Sequence, residues 1–146
     1  MYNIKKMFSR LYNYFFGKEE EKCYYLSLLK TGDRWHIHGL WPQYTENSYP
    51  TFCKKVEFDI NKLSSILPEL NEYWYSQDEK PDEFWQHEWE KHDSCMFQEM
   101  DELQYFSTTL GLYKKALENG LAEHFLQEND KSLVPLDIDL NFLTEI

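Results

Sequence analysis

The sequence predicts an α+β fold, an antiparallel sheet with helices packed around it, and three observations point that way. A β-rich run, Tyr24 to Leu29, is followed by a Thr31-Gly32-Asp33 turn and by Trp35 to Trp41, where Trp, Ile and Leu alternate with polar residues. Three later segments instead carry apolar residues at helical spacing. The chain ends in a second alternating run, Val134, Leu136, Ile138, Leu140 and Phe142.

Residues 1–22 precede these elements and read as an extension, with residues 23–146 as one domain. The extension is basic at Lys5, Lys6 and Arg10, acidic towards its end, and carries Phe8, Tyr12, Phe15 and Phe16. Its apolar run is too broken for a signal sequence and too short to span a membrane. It reads as a short amphipathic helix or as a frayed segment with a helical tendency, and it carries no readable targeting signal. No stable membrane insertion is expected.

Beyond the first hairpin, Gln43 to Phe52 is rich in Tyr, Asn, Ser and Pro and reads as a loop. Ile60, Leu63, Ile66, Leu67 and Leu70 recur at helical spacing, with Asp59 placed to cap that helix. A loop over 73–83 leads into a second helical stretch, Phe84 to Cys95. Leu103 to Leu117 reads as an amphipathic helix, Asn119-Gly120 as a turn, and 121–126 as a shorter helix. Leu133 to Ile146 is expected to be a strand.

The stretch Phe84-Trp85-Gln86-His87-Glu88-Trp89-Glu90-Lys91-His92-Asp93-Ser94-Cys95 concentrates two imidazoles, a carboxylate and an ammonium. At about 100° per residue, His87, Glu88, Lys91 and His92 share a sector of about 140°, and Trp85 and Trp89 can anchor the neighbouring side in a core. By itself this reads first as a solvated helix face with Glu–Lys pairing. A second cluster shifts the balance. In Trp35-His36-Ile37-His38-Gly39-Leu40-Trp41-Pro42-Gln43, the period of two puts His36 and His38 on one face until Gly39 and Pro42 end the strand. Two histidine clusters about fifty residues apart point to a shared site.

The motifs Trp35-x-Ile37-His38-Gly39-Leu40-Trp41-Pro42 and Phe84-Trp85-x-His87-Glu88-Trp89-x-Lys91-His92-x-Ser94-Cys95 resemble the two active-site signatures of the ribonuclease T2 family, acid endoribonucleases of low base specificity. Pro50 to Cys53, Phe58-Asp59 and Leu63 to Leu70 resemble the segment between them, so the likeness runs from about Tyr25 to about Leu126. It implies a T2-like fold shortened at both ends, with the His92 helix facing the sheet across a cleft. It also implies metal-independent cutting of single-stranded RNA through a 2′,3′-cyclic phosphate, with no cofactor. His92 would be the base and His38 the acid; Lys91 and Glu88 would stabilise the pentacoordinate phosphate, His87 would bind it, and Trp41 would stack a base. Of the three cysteines, the resemblance pairs Cys53 with Cys95 and leaves Cys23 over.

The chain departs from the family pattern at Asp93 and Ser94, where Gly and Thr are usual, and at Gln43, a position often acidic. Gly at position 93 can take a positive φ, and a carboxylate there is expected to raise the pKa of His92. The formal net charge of −11, from 15 basic and 26 acidic residues, argues against binding by neutralisation of a phosphate backbone, so tight or processive RNA binding is not expected. Aromatics at 18% argue for a packed core. A zinc site is disfavoured, because His87 and His92 stand five apart where a zincin helix needs four, and His36 reads as structural. The alternative function is a T2-like binding protein with weak or no catalysis. The chain is expected to be a monomer. The resemblance implies a secreted, vacuolar or lysosomal setting, but no signal peptide is recognisable and the sequence assigns no location.

Overall fold

A computed structural model of the protein describes residues 22–45 and 48–144, so the expected extension over 1–22 lies outside it except for Lys22. Strands β1 (Cys23–Thr31) and β2 (Arg34–Gln43) form the first hairpin, and Gly32 supplies the positive φ of 63° that its two-residue turn needs. Strand β3 (Lys131–Leu136) pairs antiparallel with the other side of β1, giving the order β2-β1-β3. One face of this sheet buries Tyr24, Leu26 and Leu28 with Trp35, Ile37, Leu40, Val134 and Leu136.

Ile37 and Leu40 are an odd number of residues apart, yet both belong to the core. A β-bulge allows it: Leu28 pairs with Ile37 and Ser27 with Gly39, so His38 is an extra residue without a partner in the ladder. The strict alternation expected for this strand therefore breaks at His38, and the strand changes phase there.

The helices pack around this sheet. A 3-10 helix, Ile60–Ile66, starts at Asp59, whose carboxylate accepts from the Asn61 amide as expected, and runs into α1 (Leu67–Tyr73). Helix α2 (Pro81–Lys91) starts at a proline and is followed by a short 3-10 turn, Asp93–Cys95. The Phe84–Cys95 stretch is thus not one helix; it breaks at His92. Helix α3 (Glu102–Glu118) opens with a capping box between Asp101 and Gln104 and buries Tyr105, Phe106, Leu110, Tyr113 and Ala116. After Gly120 at φ 67° comes α4 (Leu121–His124). The last strand is shorter than its alternating pattern predicts. The Asp137 carboxylate accepts from the amides of Asp139 and Asn141, and this side-chain turn folds Phe142 back beside Leu136.

Strand β2 is an edge strand, and an open edge invites pairing with another chain. Three of its carbonyls are instead taken by buried aromatic donors. The Tyr113 hydroxyl donates to Trp35 O (2.6 Å), the Trp74 indole to His38 O (3.0 Å) and the Tyr105 hydroxyl to Leu40 O (3.0 Å). The Cys53–Cys95 disulfide, with Cα atoms 5.1 Å apart, closes a loop of 42 residues, worth about 4 kcal/mol in the chain-entropy account. Cys23 is buried in β1.

Tyr105→Phe keeps the packing but leaves the Leu40 carbonyl without its buried donor. We expect a loss of about 1–3 kcal/mol in urea unfolding with an unchanged m-value.

Candidate active site

The bulge at His38 has a consequence on the other face of the sheet. After the phase change, Trp41 and Gln43 lie beside Tyr25 and Cys23 of β1, on the face opposite Leu40. Helix α2 approaches the same strand with Phe84, Trp85 and Trp89 buried in the core, which leaves His87 exposed and Lys91 partly exposed. Between the two lies a cleft of about 380 Å³, lined by His38, Trp41, Gln43, Phe84, Glu88 and His92, with His87 and Lys91 at its helix side and Tyr49, Tyr25, Leu133 and Glu79 completing the wall.

Trp41 stands between the two imidazoles. Its ring is edge-on to His38 at 4.9 Å and stacked on His92 at 4.9 Å, and its indole N–H donates to Glu88 Oε1 at 2.9 Å. Glu88 Oε1 lies 3.9 Å from His92 Nε2. This crowding requires glycine at position 39, because a Cβ there would run into Glu88 Oε1 and the Trp41 indole nitrogen. His92 is itself the C-terminal cap of α2, its amide bonded to the Glu88 carbonyl at 3.0 Å.

Burial dominates the electrostatics. It pushes the Glu88 carboxyl up to about 8, partly offset by the Trp41 N–H and the Lys91 charge. The same loss of water pushes His38 down to about 4 and His92 to about 3, with the Lys91 charge adding to both effects. The close Glu88–His92 approach is therefore a contact between a neutral carboxyl and a neutral imidazole. An anion beside them would favour the charged imidazoles.

All six residues expected around the site, His38, Trp41, His87, Glu88, Lys91 and His92, line this one cleft. His36 does not join them. It is buried on the far side of the bulge, bonded to Thr31 Oγ1 and Tyr75 O and stacked on the Tyr75 ring at 4.0 Å, as a structural histidine would be. The expectation for Asp93 is overturned. Its backbone is not at positive φ, and its side chain lines a different cavity, behind α2, with Trp89 and Met96. Burial pushes its carboxyl up to about 8, so it is neutral and does not raise the His92 pKa. Ser94 keeps the work of a hydroxyl there, accepting from the Cys53 amide and donating to Glu90 O. The sequence did not single out Tyr25, Tyr49, Glu79 or Leu133; their exposure and facing are set by loops and by strand order. Among the described residues, no three His, Cys, Asp or Glu side chains converge as metal ligands would, and no helix is long and apolar enough to cross a membrane.

A sequence model of the Ribonuclease T2 family matches residues 6–135. Ribonuclease 1 of Arabidopsis thaliana is 35% identical over 100 residues, 66% of this chain and 44% of that protein. A ribonuclease-like storage protein of Panax ginseng is 32% identical over 105 residues, covering 70% of this chain and 42% of that one. The chain thus spans less than half the length of either relative. Among solved structures, the RNase-related protein from Calystegia sepium superposes with a TM-score of 0.66 over 85% of this chain and 90% of that one, at 21% identity, a likeness of fold.

The shifted groups set how stability depends on pH. Glu88 and Asp93 keep their protons in the folded chain to about pH 8, but lose them near 4.5 and 3.8 when unfolded, so their contribution falls as pH rises through that interval. His38 and His92 act oppositely: their contribution is complete above 6.5 and is lost as pH falls towards 4 and 3. The two trends oppose each other from about pH 5 to 6.5, and above 7 only the carboxyls act, each costing about 1.4 kcal/mol per pH unit. Unfolding measured from pH 5 to 8.5 should show stability falling above 7, and Glu88→Gln should make that fall shallower; an unchanged slope would mean Glu88 is already ionised in the folded chain.

Proposed function

The chain belongs to the ribonuclease T2 family, and from that premise we propose that it is an endoribonuclease that cuts single-stranded RNA by transphosphorylation, with low base specificity and without a metal. The observation that best supports this is the meeting of His38, from the bulge of an edge strand, with Glu88, Lys91 and His92, from the end of a helix, around one cleft.

In this reading His92, kept neutral by burial, takes the proton of the 2′-hydroxyl, and the freed oxygen attacks phosphorus. The bond from phosphorus to the 5′-oxygen breaks as His38 gives that oxygen a proton, leaving a 2′,3′-cyclic phosphate and a free 5′-hydroxyl. Water then opens the ring with the two roles exchanged. Lys91 and Glu88 stabilise the phosphorane, Glu88 as a neutral hydrogen-bond donor, and His87 at the rim binds the phosphate. Trp41 holds Glu88 in place through its N–H, and the cleft-facing rings of Trp41 and Tyr49 supply surface on which a base can stack. Because His38 must carry a proton, activity is expected at mildly acid pH and falls as the solution becomes alkaline.

One observation favours a second reading. The ginseng relative is described as a storage protein, and here Trp41 covers an imidazole that burial keeps uncharged. A protein of this kind would bind or accumulate without cutting.

Cleavage of a generic RNA from pH 4 to 8 in EDTA separates the two. We expect cyclic-phosphate ends, and losses of roughly 100-fold or more in both His38→Ala and His92→Ala. Cutting abolished by EDTA would move the chemistry to a metal, and no cutting by folded protein at any pH would favour the binding reading.

A further inference from the structure

Among the described residues, two aromatic side chains stand furthest out of the surface, Tyr49 at 56% and Phe52 at 57% exposed. Tyr49 is part of the cleft wall, whereas Phe52 stands outside it, its ring edge-on to the exposed His87 imidazole with centroids 6.2 Å apart. A single exposed phenylalanine is ordinary on any protein surface. This one is held out at a cost. Its φ is +48°, in the left-handed region that a bulky side chain avoids.

The strain is held by anchors on the last residue of α2 and on the 3-10 turn that follows it. The Phe52 amide donates to Lys91 O at 2.9 Å, and the Cys53 amide donates to Ser94 Oγ at 3.0 Å. Cys53 is bonded to Cys95. The segment is therefore fixed to the same few residues that carry Lys91 and His92, and the ring is fixed beside His87. A flat apolar ring next to a phosphate-binding imidazole matches the two parts of a nucleotide, with the phosphate on His87 and its base on Phe52. The chain's net charge of −11 adds weight, because counterion release contributes little here and stacking, which is indifferent to sequence, has to supply affinity.

We propose that Phe52 is a stacking platform for a nucleobase of the single-stranded substrate one step outside the cleft, so that the enzyme prefers oligoribonucleotides to dinucleotides. The proposal rests on the endoribonuclease reading and extends its site along the strand.

The test compares kcat/KM for an RNA hexamer and for a dinucleoside monophosphate in wild type, Phe52→Gly and Phe52→Trp. Phe52→Gly removes the ring and suits the left-handed backbone, so its thermal unfolding should stay close to wild type. The hexamer-to-dinucleotide preference should fall roughly tenfold in Phe52→Gly, through KM, and survive in Phe52→Trp. An unchanged preference in Phe52→Gly overturns the platform. A hexamer with 2′-O-methyl groups, which lacks the nucleophile, is titrated in parallel. If wild type cuts neither RNA, the catalytic reading fails, while roughly tenfold weaker binding of this hexamer to Phe52→Gly still supports the platform and equal binding overturns it.

Discussion

The hydrogen bond from the Trp41 indole to the Glu88 carboxyl joins the two halves of the site, and much of the rest depends on it. It ties an edge strand to the last turn of helix α2, at 2.9 Å, across a position where only glycine leaves room. Because the indole is fixed by this bond, it stacks on His92 and meets the His38 ring at a steep angle, so one side chain sets the environment of both imidazoles. Without it Glu88 would be a buried carboxyl with no donor, an expensive arrangement in a dry site.

The helix end that carries Lys91 and His92 is braced from several directions. Trp85 donates to Trp74 O and Trp89 to Glu57 O, both through buried indoles. Below His92, Ser94 and the Cys53–Cys95 bond tie down the segment that presents Phe52. On the sheet side, Tyr105, Tyr113 and Trp74 occupy the free carbonyls of β2. The same donors that close the edge against unwanted pairing also hold the His38 bulge, since Trp74 bonds to the His38 carbonyl itself. A cleft-lining imidazole at the irregular point of an edge strand is thus fixed by packing from α1 and α3 rather than by the ladder.

Electrostatically the buried floor of the cleft is nearly uncharged, with Lys91 and Glu79 in its wall. Burial keeps Glu88 protonated and both inner histidines neutral, and Asp93 behind the helix is neutral for the same reason. In a chain of net charge −11 the buried floor of the cleft thus does not repel an anion, and the acidic side chain that remains, Glu79, stands exposed in its wall.

Much of this was legible in the sequence alone. The period of two before Gly39, the period of 3.6 after Asp101, the Asp59 cap and the amphipathic placing of Trp85 and Trp89 are short-range matters, decided by which neighbours a residue meets along its own element. The set His38, Trp41, His87, Glu88, Lys91 and His92 was readable because two dense motifs carried it, and the cysteine pairing came with the same resemblance. Other features were decided only when distant segments met. The bulge at His38 depends on its register with β1, and the early end of β3 on a turn that Asp137 builds. Asp93, adjacent to His92 in sequence, turned out to face another cavity. Sequence spacing shows that two charges are close along the chain, but a pKa depends on how much water remains and on which side of the helix a carboxyl emerges, and both are set by packing. The exposure of Phe52 is of the same kind, since its left-handed backbone is held by Lys91, Ser94 and Cys95, residues about forty positions away.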